Sequence, residues 1–309
     1  MILTRCFVLL WLTSCLCGTP LVAKTLTLGW EAAPRSIDPR YATDANSQYL
    51  ENLVHCSLID YGESGEIVNQ LAKKLEWKDP KTLVITFQDQ AKFSDGTKVT
   101  AADIKATFDF FNDDSVKVKS PRKGAFAGIE SIAAKGNTVT FQLKEADSTF
   151  VGNLVVGILP AKLAKTGEQI NKAKDIVGCG PFQLAAKGIA GVTLSRNPHY
   201  TIGTTPKLDK IQIKIVKDES TRFAKLRAGE LDIVQNSISR DKLDDISKKY
   251  PNLTIKKRPG LNVTYLGFNM RDKIVGNVRV RQAISIAINR EAIIKYILNG
   301  YAVPATTML

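Results

Sequence analysis

The sequence predicts a mixed α/β protein of about two domains, and three observations carry that prediction. The chain has 309 residues, of which 44% are hydrophobic and 24% charged, with no low-complexity tract and no repeat of fixed period. Segments that alternate as strands are followed along the chain by segments with helical periodicity. Capping residues and glycines punctuate the two kinds of segment where each would have to begin or end.

Taken in order, residues 25–30 (TLTLGW) alternate as a strand, and Pro34 with residues 36–39 (SIDP) forms a turn. Leu83, Ile85 and Phe87 then alternate as a half-buried strand, Asp95 and Gly96 make a tight turn, and Thr100 with Asp103 is a helix N-cap pair. Gly178 and Gly180, either side of Cys179, permit backbone angles closed to other residues at a turn entering a strand. Residues 221–228 form an amphipathic helix stopped at Gly229 and followed by a short apolar strand to Val234. Asn277 can cap a helix that keeps Val280, Ala283, Ile284 and Ala287 on one face. Asn289 can cap a second that buries Ile293, Ile294, Ile297 and Leu298 before Gly300 ends it.

Several of these strings also carry a resemblance. The run KFSDGTKVTAADIKATF at 92–108, VGCGPF at 177–182, LSRNPHY at 194–200, LRAGELDIV at 226–234, and VRVRQA at 278–283 with NREAI at 289–293 follow one another in order. Together they resemble the extracellular solute-binding proteins of the peptide and nickel transporter family, known as family 5. Ser94 stands where a histidine is frequent, Ile104 where valine is, Cys179 where threonine is usual, and Thr201 where a tryptophan often follows the tyrosine.

The resemblance implies a two-lobed periplasmic-binding-protein-like fold with mixed sheets, closing on a ligand. Residues 24–50 and 175–264 would be the main part of lobe one and 51–174 an inserted subdomain. Residues 265–309 would be the hinge and the start of lobe two, with 265–269 a strand leading into the hinge. Because segment 278–300 opens the second lobe in that family, lobe two is expected to be largely missing here.

The function so implied is capture of a small peptide or similar solute for an ABC importer, whose permease recognises the closed complex. No bond is made or broken and no cofactor is required. Lobe-one candidates for ligand contact are Trp30, Glu31, Phe126 and Asn269. Glu31 could offer its carboxylate to a peptide ammonium group, although a solvated loop carboxylate is the plainer reading. Trp30 and Phe126 could pack on ligand side chains or serve the core, and Asn269 could bond a ligand or merely satisfy nearby backbone. The alternative is a structural or regulatory protein that retains lobe one and is incompetent to bind.

Other function classes fare worse. The chain has no G-x-S-x-G elbow, P-loop or H-E-x-x-H motif, and its two histidines, His55 and His199, are too few for the usual nucleophile and base arrangements or for a zinc site. Asp241, Asp244 and Asp245 would share a helix face, but Lys242, Lys248 and Lys249 surround them, as on a solvated charged surface. The net charge of +13 is spread along the chain with acids interleaved, which disfavours a nucleic-acid groove, though a basic surface could attract an anionic membrane or partner.

The N-terminus reads as an export signal, residues 1–23, with Arg5 ahead of an apolar run at 6–12 that is too short to span a bilayer. LTSC at 12–15 resembles a lipobox, which would leave a lipid-anchored Cys15, whereas cleavage after Ala23 would free a soluble periplasmic protein beginning at Lys24. Cys56 and Cys179 remain in the body of the protein. In an oxidising compartment they could form a disulfide, and two separate buried thiols are the other reading. The intact mass of the periplasmic protein is expected to match a chain lipidated at Cys15 or one starting at Lys24. A mass that retains Met1 rules out both.

Overall fold

The computed structural model of the chain describes residues 24–116, 120–166, 168–170, 175–235, 238–256 and 263–305. The export segment, with Cys15 and Ala23, lies outside them. Among the described residues no helix is long and apolar enough to cross a membrane.

The elements, in chain order, are β1 (Thr25–Trp30), α1 (Ala45–Val54), β2 (Ile59–Tyr61), β3 (Ile67–Asn69), β4 (Ala72–Asp79), β5 (Thr82–Phe87), α2 (Ala101–Asn112), α3 (Lys123–Phe126), β6 (Ile129–Lys135), β7 (Thr138–Leu143) and α4 (Ala161–Ala164). They continue with β8 (Phe182–Gly188), β9 (Gly191–Arg196), β10 (Lys210–Ile215), α5 (Glu219–Arg227), β11 (Ile233–Val234), α6 (Arg240–Lys249), α7 (Val278–Ala287) and α8 (Arg290–Ala292).

Strict alternation builds the first sheet. Leu83, Ile85 and Phe87 of β5 and Val139, Phe141 and Leu143 of β7 all point to one side and are buried, while the residues between them stay half-exposed. The two strands pair antiparallel in the order β4-β5-β7-β6, and α2 covers the apolar face. Phe108 of α2 meets Phe141 edge-on at 5.2 Å between ring centroids. The start of α2 is pinned because Asp103 accepts hydrogen bonds from the backbone N–H of Thr100 at 2.7 Å and from its hydroxyl at 2.6 Å. The other oxygen of Asp103 accepts from the N–H of Ala161 at 2.7 Å, so one carboxylate holds both the helix start and α4.

A second sheet has the order β11-β1-β10-β9-β8. Its strands β8, β9 and β10 run antiparallel, but β1 lies parallel to both β10 and β11. This sheet therefore draws one strand from the start of the chain and four from beyond residue 181. Trp30, Ile211, Ile213, Val192 and Leu194 form its core with Leu50 and Val54 of α1. The side chain of Asp218 caps α5, and Gly229 ends it with a φ of 74°, a conformation that costs residues with a Cβ.

Where the chain passes between the two sheets its backbones almost touch. Gly178 and Gly180 were expected to supply unusual backbone angles, but neither has a positive φ. They are needed for closeness instead, since a Cβ on Gly178 would meet the carbonyl oxygen of Val54, and one on Gly180 would lie 2.6 Å from its carbonyl carbon. Between them Cys179 is bonded to Cys56, with Cα atoms 5.0 Å apart.

The connection after β1 is held by a fully buried ion pair. Arg40 donates through Nε and Nη2 to the two oxygens of Asp38 at 2.9 and 2.7 Å. Its remaining N–H groups reach the carbonyls of Ala164, Thr166 and Glu168, and its plane lies 4.3 Å from the Phe110 centroid. The chain around 164–170 is thus fastened to the loop that follows β1.

Two expectations about the last segment are corrected. Residues 265–269 form no strand, because an extended segment needs a neighbour to bond with and none lies beside it among the described residues. The capped helices do form, with Asn277 accepting from Arg279 N and Asn289 from Ala292 N, and the second continues as a π-helical turn over Ile293–Ile297. Neither buries a residue, however, and Ile297 is 72% exposed. Among the described residues no apolar layer covers their amphipathic faces.

Replacing Arg40 by methionine is expected to lower unfolding stability in urea by about 3–5 kcal/mol, since Asp38 would remain buried without a cation. Replacing exposed Lys74, which bonds Glu76 on the surface, is expected to leave the urea midpoint in place.

Candidate functional site

Three parallel strands end on the same side, and the candidates Trp30 and Glu31 lie at that edge of the sheet. Trp30 is the last residue of β1, opposite Ile215 of β10, and its carbonyl accepts from Val216 N at 2.8 Å. In sheets of this kind ligands bind beyond the carboxyl ends of the parallel strands. There the chain exposes Glu31, Ala32, Ala33 and Arg35 before it turns inward at Ser36.

The helix α1 frames this mouth. Asn46 donates to the carbonyl of Ala32 at 2.8 Å, and Ser36 N donates to the hydroxyl of Ser47 at 3.0 Å. Tyr49, on the exposed side of α1, holds its ring 6.3 Å from that of Trp30. Trp30 is only 4% exposed, yet its indole N–H has no hydrogen-bond partner among the described residues.

The structure separates the four sequence candidates. Trp30 and Glu31 lie together at the mouth. Phe126 departs from the expected ligand-facing ring. It is 1% exposed, stacked 4.4 Å from Phe111 in the core beneath α2, where an aromatic side chain removes the most apolar surface from water. Asn269 is exposed and spends its carbonyl oxygens on a turn, accepting from Arg271 N and Asp272 N. Arg35, Asn46 and Tyr49 also border this mouth and were not among the sequence candidates. The Asp44 cap, which accepts from Ser47 N at 3.1 Å, was the available signal that a helix start carries these residues beside the strand end.

The side chains of Asp241, Asp244 and Asp245 lie outside the described set. No group of three or more histidine, cysteine or acidic side chains able to hold a metal occurs among the described residues.

A family model for "Bacterial extracellular solute-binding proteins, family 5 Middle" matches residues 66–309. The chain belongs to this family. Among family 5 relatives, the glutathione-binding protein GsiB of Pectobacterium atrosepticum is 30% identical over 301 residues, covering 95% of this chain and 57% of GsiB. The oligopeptide-binding protein AppA of Bacillus subtilis is 27% identical over 294 residues, covering 92% of this chain and 53% of AppA. Of solved structures, Campylobacter jejuni NikZ in complex with Ni(L-His) superposes with a TM-score of 0.81 at 26% identity, over 92% of this chain and 57% of NikZ. The Bacillus subtilis AppA complex with a nonapeptide gives 0.76 at 26% identity, over 89% of this chain and 56% of that one. The fold is thus the mixed α/β fold of two-lobed periplasmic binding proteins, and the chain spans somewhat over half the length of the relatives it matches.

Behind the mouth of this family 5 protein, the buried side of α1 carries two titratable groups. Glu51 accepts from Gly157 N at 2.8 Å and from Arg122 Nη2 at 3.0 Å. Burial outweighs both contacts and pushes its carboxyl up to about 7. One turn later His55 is wholly enclosed, and burial takes its imidazole down to about 4. The carbonyls of Ile37 and Ile158 lie near the ring, but neither nitrogen has a well-aligned hydrogen bond among the described residues.

The two groups act on stability in opposite directions. The raised Glu51 contributes fully below its unfolded value near 4.5, and that contribution is lost as pH rises through 7. The lowered His55 contributes above its unfolded value near 6.5, and that contribution is lost as pH falls through 4. Between pH 5 and 8 the two oppose each other, Glu51 lowering the unfolding free energy and His55 raising it, each by on the order of 2 kcal/mol, so Glu51→Gln is expected to turn a nearly flat pH dependence into a net rise. Urea titrations at both pH values check this, and an unchanged slope in the variant would sink it.

Proposed function

We propose that this protein is the periplasmic solute-binding component of an ABC importer and that its solute is a peptide or a similar small molecule. The observation that carries the reading is the Trp30 and Glu31 mouth at the carboxyl ends of three parallel strands. In this reading the five-stranded sheet belongs to the main part of lobe one, residues 24–50 and 175–264. The four-stranded sheet belongs to its inserted subdomain, residues 51–174. Residues 265–309 are the hinge and the start of lobe two, and the exposed apolar faces of α7 and α8 fit a role as surfaces for another layer.

At the mouth, the exposed carboxylate of Glu31 receives a peptide's ammonium group, and Tyr49, backed by the Trp30 ring, packs on the solute's apolar part. Asn269 contributes from the hinge side. Recognition is by hydrogen bonds and packing, and the permease reads the occupied state. GsiB and AppA bear names that specify glutathione and oligopeptides, which supports a peptide-like solute. Tethering to the membrane through Cys15 is the other half of the localisation reading.

Native mass spectrometry of the exported protein, followed by calorimetry with short peptides, tests this. Glu31→Gln is expected to weaken peptides with a free amino terminus about tenfold and to leave N-acetylated ones unaffected. A Glu31→Gln protein that binds free-amino peptides as tightly as wild type removes the proposed contact. No peptide retained at millimolar concentration would favour a protein that keeps lobe one for a structural or regulatory role.

A further inference from the structure

The disulfide sits where the chain leaves one sheet and returns to the other. β2 to β7 and α2 to α4 lie between Cys56 and Cys179, whereas β1 and α1 precede the bond and β8 to β11 follow it. Both cysteines are at most 1% exposed and belong to the core beneath α2, not to the core of the five-stranded sheet. Around them the crossing is zipped by Gly180 N to Val54 O at 2.9 Å, Ile158 N to Cys56 O at 2.8 Å and Ser94 N to Gly178 O at 2.8 Å.

The five-stranded sheet, by contrast, cannot form locally, because β1 pairs with β10 and β11 from the far side of the insert. Along the backbone about 180 residues separate the end of β1 from the start of β10. Through the disulfide the path is about 60 residues, and the entropy of closing it is correspondingly smaller.

We propose that Cys56–Cys179 is a covalent shortcut through which oxidation after export speeds assembly of the sheet that carries the Trp30 mouth. Each thiol loses a proton and the pair loses two electrons. These pass to the disulfide of a dithiol oxidoreductase or of oxidised glutathione, which is left as two thiols. A reduced chain has two distant arms to bring together. An oxidised one has them joined at the neck before β1 finds its partners.

Refolding from urea with pulsed hydrogen exchange tests this, independently of any solute. Oxidised wild type, wild type kept reduced by a phosphine, and the Cys56→Ala/Cys179→Ala variant are compared strand by strand. Protection at β1 and β10 is expected to appear about fivefold sooner in the oxidised chain, while the local β6–β7 pairing forms at the same rate in all three. Equal rates at β1 and β10, or a uniform change at every strand, overturns the proposal. A reduced chain that protects β6–β7 and never β1 supports it. One that protects neither overturns it, since the bond would then be required for the insert itself.

Discussion

Everything near the mouth depends on one buried ion pair. Asp38 and Arg40 lie two residues apart with no solvent contact, and neither charge could be there alone. Their remaining hydrogen-bonding capacity is directed outward, Asp38 to the N–H of Ile170 and Arg40 to three carbonyls of 164–168. The pair therefore defines where the return segment lies against the loop after β1. Since Ser36 is tied in turn to Ser47, the same constraint fixes how α1 approaches the strand end.

Polar bonds then link the two cores. Asp103 serves the cap of α2 and the start of α4 at once, and the hydroxyl of Thr107 accepts from Leu159 N at 3.1 Å. Glu51 bridges α1 to Arg122 and to Gly157. These contacts cross from the four-stranded to the five-stranded unit, where apolar packing alone would leave orientation loosely specified. Glu51 does this at a cost, because its burial favours the protonated acid although a guanidinium is beside it.

At the mouth the environment differs. Glu31 and Arg35 face solvent, while Trp30 is almost covered by its own core, with no partner for its N–H among the described residues. Apolar packing fixes the ring, and Tyr49 of α1 borders it. Trp30 is the last residue of β1, and Glu31 begins the exposed bend that follows it.

The sequence by itself determined the local elements. Alternation at Leu83, Ile85 and Phe87, the Thr100 and Asp103 cap, the stop at Gly229 and the caps at Asn277 and Asn289 depend on neighbours within a few residues, so the string of residues contains their cause. Its ordered motifs also indicated the family. Only the tertiary structure decided that Phe126 faces a core, that Tyr49 borders Trp30, and that Gly178 and Gly180 are small for the sake of Val54. Each of these depends on a residue distant in sequence or on another element. The burial of α7 and α8 was likewise not decided by their periodicity, which specifies an apolar face but not the layer that would cover it.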